Sequence, residues 1–552
     1  MKMQCNGAAS RWRNWTMAAV LGLTTMLAGA QSPQAPAPPD KPPESSQNSS
    51  QSRAKNPDTH ITPEEAKQLF ALVDQLIQFS SQETGLPVKS SVKRQLTTRT
   101  AVETYLNQKF QEDEGAKRLE RGEIVLKKFG LLDRDFDLKP FLLALLKEQI
   151  EAYYDSKTKT VNMLDWVAID EQKPVLAHEL THALQDQRVN LEKWGDQTPN
   201  DVSTNYHDDI DHLAKDEFDT AREAVVEGQA TAVMMDHILK PMGKSLIKDP
   251  EVVDFIKNQM NGGENSPVLA RAPLLLSESL LFPYREGLSF EQDVWMDQGQ
   301  KAAFAGTLDR PPTSTWEIIN PREFEKSKLP VVPLMPDIHP IIDKTYKAYD
   351  IGQVGELDLH ILTELFGGDN AARDLTPSWD GGIYWAGQRL SATTPAEQAS
   401  TKSISLFYLS AWKNAASAQA FSELYANALG RKYSGLHKDD AAAHSAPADA
   451  PEGTVEQVYS TNEGPVVITT RGRLVFVAES FDLDQARKLA TLILDTQGTG
   501  DLKMADSARP ALVPAARVGG PTLSGGLVQL FADSGVMKAA AQAGIRAATS
   551  QH

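Results

Sequence analysis

The stretch PVLAHELTHALQDQ, Pro174 to Gln187, constrains the fold more than any other part of the chain. Val175, Leu176, Ala177, Leu180, Ala183 and Leu184 are apolar on more than one side of a helix, so this helix belongs inside a core with one polar strip facing a cleft. His178, Glu179 and His182 stand within it. Two imidazoles and a carboxylate on a buried helix are costly unless they pair or bind a metal. The spacing favours a metal: residues four apart share a helical face, so His178 and His182 can aim at one ion. Glu179 falls beside that ion but off the ligand axis, where a carboxylate can take a proton from a metal-activated water.

A catalytic zinc needs a third protein ligand and an open position. The pattern EFDTAREAVVEGQATAVMMDHILK predicts a second apolar helix over about 217–240. Glu223 and Glu227 are four apart on it, and spacing alone admits either as the ligand. Gly228 favours Glu227, because a glycine beside the ligand permits the close helix approach that a bridge from a second helix requires. His237, further along, is expected to pack or cap.

HELTH followed by E-G-x-A on a later helix resembles the gluzincin group of zinc metallopeptidases, which includes thermolysin and the zinc aminopeptidases. The resemblance implies zinc held by His178, His182 and Glu227, with Glu179 as catalytic base. Two departures stand out. The second histidine and Glu227 are separated by a long polar insert, RVNLEKWGDQTPNDVSTNYHDDIDHLAKDEF, which could wall or lid a cleft. Thr231 occupies the place of an aspartate that orients a histidine in thermolysin-like proteins, so the outer support must be built otherwise. Together with FPYREGLSF and SWDGGIY, the motifs also resemble a family of exported bacterial proteins with a zinc peptidase domain, over about 150–430.

Water attack on an amide also needs an oxyanion stabiliser. Tyr284 is the first candidate, read against an aromatic packed in a proline turn, with Arg285 beside it and His207 and His212 in the insert as alternatives. Trp379 and Asp380 are read mainly as the head of a strand. The expected function is therefore peptide hydrolysis, with a peptide or protein substrate. A catalytically idle zinc module that binds an envelope partner, and a zinc hydrolase of non-peptide amides, are the alternatives.

The chain of 552 residues carries a formal charge of −17, which argues against nucleic acid as a partner. Residues 1–30, with Lys2, Arg11 and Arg13 before an apolar run ending in Ala28-Gly29-Ala30, read as a signal peptide, so export to the periplasm or beyond is expected. The sole cysteine, Cys5, precedes that run, which leaves a mature chain without disulfides. No later segment has the length and apolarity of a membrane span, and the sequence leaves oligomeric state open.

The expected fold is α+β and mostly helical, with a zincin-like catalytic domain. Residues 31–60 read as a disordered Pro/Ser-rich linker, 61–149 as a helical lobe opened by a Thr62–Glu65 capping box, and 150–345 as the metallopeptidase-like domain. Within the last, 150–164 reads as a hairpin turning near Ser156-Lys157. Residues 346–496 read as a small α+β domain with a repeated strand–helix unit, and 497–552 as an Ala/Gly-rich, loosely ordered tail without strong periodicity.

Overall fold

In the computed structural model the helix bearing His178 and His182 is α5, Ile169–Val189. The residues described are 61–112, 114–195, 197, 205–260, 266–443, 453–498, 523–532 and 537–549. The signal peptide, the linker and part of the polar insert, read from the sequence, lie outside them. The described residues all belong to one compact unit.

Helix α5 starts five residues before Pro174, so the proline lies inside the helix rather than at its first position. Its start is fixed by Gln172. The Gln172 amide donates to the carbonyls of Leu164 and Val167 and accepts from the Leu164 N–H. Asp170 and Glu171 occupy the first turn, where the helix dipole favours anions.

Further helices build the body around α5. Helix α1, Pro63–Thr84, is capped by Thr62 and Glu65 as the sequence suggests. Helices α2, Arg99–Glu112, α3, Glu114–Phe129, and α4, Leu138–Gln149, follow. The insert contributes α6, Leu191–Gly195, and α7, Tyr206–Lys215. Then come α8, Phe218–Leu239, α9, Glu251–Gln259, and α10, Leu274–Gln298. Helix α5 lies between α1 and α8, and α8 lies between α5 and α10. The Ser80 hydroxyl of α1 donates to the Ala177 carbonyl, holding α1 against the metal-candidate helix.

Under α5 sits a three-stranded sheet of order β1-β3-β2, with β1 Lys93–Thr97, β2 Ala152–Asp155 and β3 Thr160–Leu164. Strands β2 and β3 form the expected antiparallel hairpin, and β1 joins β3 in parallel.

The second sheet has seven antiparallel strands in the order β4-β5-β6-β10-β9-β8-β7. They are β4 Tyr346–Gln353, β5 Trp379–Arg389, β6 Ile404–Trp412, β7 His437–Lys438, β8 Thr454–Ser460, β9 Val466–Arg471 and β10 Leu474–Glu479. The repeat hinted at in the sequence is β6 followed by helix Ala415–Lys432, and β10 followed by helix Leu483–Thr496. The two strands are central neighbours. Their helices cover opposite faces: Tyr408 and Trp412 share a core with Phe421 and Tyr425, whereas Phe407 and Leu409 share one with Leu489 and Ile493. The first of these cores is continuous with the helical body, where Phe129 of α3 packs edge-on against Tyr384 at 5.1 Å.

Two findings depart from the sequence reading. Pro283 lies inside α10, so Tyr284 is a helical residue and not part of a proline turn. The Ala/Gly-rich end, expected to be loosely ordered, contains helices Leu523–Ala532 and Lys538–Thr549, which pack on α10, α8 and α9. Their contacts use small side chains and close backbone approach; a Cβ on Gly544 would lie 2.5 Å from the Met235 sulfur. Such packing leaves no bulky periodic stripe to read.

The tightest helix contact is between α8 and α10. A Cβ on Gly228 would lie 2.3 Å from the Gly287 carbonyl oxygen, and one on Gly287 would lie 2.2 Å from that of Ala224. The partner that Gly228 admits is therefore α10, the helix of Tyr284, and not α5. Gly228→Ala should force these backbones apart and lower stability by about 3 kcal/mol, read as the midpoint of denaturant unfolding. Two turns past Tyr284, Glu291 is fully buried, and neither carboxyl oxygen has a hydrogen-bond partner among the described residues. Burial raises its pKa well above 4.5, so the folded state keeps a proton that the unfolded state releases. Stability should then fall as pH rises above 4.5, by up to about 1.4 kcal/mol per pH unit until the folded pKa is reached. Glu291→Gln should abolish that loss, measured as unfolding free energy against pH.

Candidate metal centre

His178, Glu179 and His182 are all buried and place donor atoms within 4.8 Å of one another. This buried group could hold a metal ion. A second carboxylate comes closer to the rings. Glu227 of α8 sets Oε2 at 3.0 Å from His178 Nε2 and Oε1 at 3.5 Å from His182 Nε2. Glu227 therefore bridges both imidazoles from the neighbouring helix. Glu223 lies one turn earlier, half-buried, and its charge acts on Tyr284.

The two carboxylates differ in environment. Burial opposes the charge of Glu227, but His182 and His178 overcome it and hold its pKa down to about 2. Glu179 is dominated by burial, which raises its pKa to about 7. Its Oε1 has no hydrogen-bond partner among the described residues, while the backbone of Tyr154 on β2 donates to the side chain. Glu227 is thus an ionised, engaged carboxylate, and Glu179 is one poised to exchange a proton near neutrality.

The histidines are also unlike. Burial pulls His178 down to about 4, with His182 adding repulsion. Burial acts on His182 in the same direction, but Glu227 and Glu179 outweigh it and raise it to about 9. In the metal-free protein the proton of the cluster thus resides on His182, against Glu227. A metal must displace it, since histidine ligates as the neutral ring.

Two glutamines supply the support that Thr231 cannot. Gln185 Oε1 lies 2.9 Å from His182 Nδ1 and accepts its proton. The Gln185 amide nitrogen donates to the Val226 carbonyl at 3.0 Å and to Gln229 Oε1 at 2.9 Å. Gln229 in turn donates to the Ala303 and Phe304 carbonyls and to the Thr307 hydroxyl. Every amide orientation in this chain is fixed by its neighbours. The chain holds Nδ1 of His182 as the protonated nitrogen and turns Nε2 toward Glu227. The sequence reading missed both glutamines. Their signal was available: Gln185 is three residues past His182 and Gln229 two past Glu227, both on apolar helices where a bare amide is costly.

Tyr284 joins the site. Its ring centroid is 6.3 Å from that of His178, and the side chain is buried. Burial raises the phenol pKa far above 10, with Glu227, Glu179 and Glu223 adding to the effect. The hydroxyl therefore keeps its proton and is a donor. The other candidates have different partners. Arg285 pairs with Glu278 at 3.2 Å. His207 is exposed at the start of α7, and His212 pairs with Asp216 at 3.3 Å. His237 packs edge-on against Phe79. Trp379 is buried in the core, and Asp380 pairs with Arg473 at 3.6 Å.

No protein-family model, no curated protein and no solved structure matches the chain. Among the described residues, no helix is long and apolar enough to cross a membrane.

Gln185→Leu removes the acceptor that fixes His182 while keeping a comparable volume. The expected result is a 10- to 100-fold weaker metal affinity, about the usual effect of losing an outer-shell partner, with helical content retained. Competition with a chromophoric chelator, alongside circular dichroism, measures both.

Proposed function

We propose that the chain is an exported zinc metallopeptidase whose metal ligands are His178, His182 and Glu227 and whose general base is Glu179. One observation carries the reading: an ionised Glu227 bridging both ring Nε2 atoms, with Glu179 beside them presenting an Oε1 that has no hydrogen-bond partner among the described residues. Two histidines and one carboxylate are a donor set suited to a catalytic zinc. The choice of Glu227 over Glu179 as ligand rests on its contact with both rings. The zincin-like character of the domain belongs to the same proposal.

Zinc held there supplies a Lewis acid that polarises a carbonyl and acidifies water. The chain's residues do the rest. Glu179 takes the water proton on its Oε1 and later gives it to the leaving amine. Tyr284, protonated and buried beside His178, can donate to an oxyanion. Gln185 and Gln229 keep His182 aimed. The buried apolar surroundings limit water and strengthen each of these interactions.

Metal analysis of the purified protein should give about one zinc per chain. Glu179→Gln should keep that zinc and lose peptide hydrolysis by about 1,000-fold or more in kcat. Glu227→Ala should lose the zinc. Full activity in the zinc-loaded Glu179→Gln protein would refute the mechanism. Zinc without cleavage of any peptide in a broad library would favour an idle metal module or a hydrolase of other amides.

A further inference from the structure

Four residues past His182 on the same helical face stands Asp186, and a cavity of about 470 Å³ opens around it. Its wall combines the end of α5 with the segment before β1 and the turn of the β2–β3 hairpin. The ionic side chains lining it are Lys89, Lys159, Arg188 and Asp186. The single anion is already answered. Asp186 accepts from Lys159 Nζ at 2.6 Å, from the Tyr154 hydroxyl at 2.9 Å and from the Leu191 N–H at 3.1 Å. Lys89 Nζ meets an uncharged acceptor, the Gln187 carbonyl, at 2.9 Å. Arg188 pairs with Asp309, which is 60% exposed, so the pair is weak and readily exchanged. The cavity therefore has a cationic surplus in a chain whose net charge is −17.

The wall is rigid where the surplus sits. The Gln187 side chain accepts from the backbone N–H groups of Lys89 and Ser90 and donates back to the Ser90 carbonyl. Lys159 holds a left-handed backbone, φ 57°, that a lysine adopts only at a cost. Tyr154 ties the cavity to the metal centre: its backbone donates to Glu179, and its hydroxyl reaches Asp186. The axial offset from His182 is one helical turn, about 6 Å.

We propose that this cavity is a substrate subsite that takes a carboxylate, carried by a residue about two positions from the bond cut, since an extended chain advances about 3.3 Å per residue. The assignment rests on the peptidase reading. The carboxylate can come from an Asp or Glu side chain or from the peptide's own C-terminus, and the peptides below separate the two.

The zinc-loaded Glu179→Gln protein should be titrated with fluorescent peptides that carry Glu or Gln at the same place, each with a free or an amidated C-terminus. The Glu peptide should bind about tenfold more tightly than its Gln counterpart at low salt, a preference that shrinks at high salt. Lys89→Glu, added to this protein, should erase the preference. Lys402→Glu, the same charge change in the seven-stranded-sheet region, should keep it. Preference for the free C-terminus irrespective of the Glu would identify the terminal carboxylate as the group bound, again supporting a carboxylate subsite. Equal binding of all four peptides, or equal effects of the two lysine variants, would overturn the proposal. Wild-type protein incubated with the same peptides distinguishes the two readings. Charge-dependent binding with no cleavage of these peptides or of a broad peptide library sinks the peptidase reading and leaves the carboxylate site standing. Cleavage without charge preference sinks the subsite alone.

Discussion

The contact of Glu227 with His178 and His182 is the constraint on which the site depends. It joins two helices through charged and polar groups that are buried, where an unpaired partner would be costly. The cost is offset because the groups answer one another: Glu227 is held ionised and His182 is held protonated. A bound cation would replace that proton in the same arrangement of donors.

Holding the bridge in place takes a second contact on the far side of α8. Gly228 lets α10 approach until only glycine fits at either helix. Gly228 directly follows Glu227, and Gly287 lies three positions past Tyr284. The same close packing therefore fixes the carboxylate and brings the phenol to the histidine pair. Gln185 and Gln229 finish the job from between α5 and α8, each amide locked by the next. The arrangement is over-determined, which is what a preorganised site requires.

Much of this was legible in the sequence. The capping box at Thr62 and Glu65, the β2–β3 hairpin, α8 and the repeated strand–helix unit of the second sheet all follow local rules of period and capping, which single sequences carry. His178, Glu179 and His182 were legible because a helix fixes the relation of residues one and four apart. What failed were relations between distant segments. Gly228 signalled a close approach but not to which helix. Pro283 suggested a turn, since proline is a helix breaker on its own, yet packing of α10 on α8 holds it in a helix. The final helices were missed because alanine and glycine dock by proximity and leave no stripe. That the two repeated helices cover opposite faces follows from strand pairing, which no local pattern states.

The central claim is that Glu227 completes a zinc site with the two histidines, leaving Glu179 outside it. X-ray absorption of the zinc-loaded wild-type protein and of Glu179→Gln tests this most directly. The account predicts, in both, two imidazole nitrogens and carboxylate or water oxygens at about 2.0–2.2 Å, with superimposable spectra. A shell that changes when Glu179 is replaced, or one without two imidazoles, would contradict it.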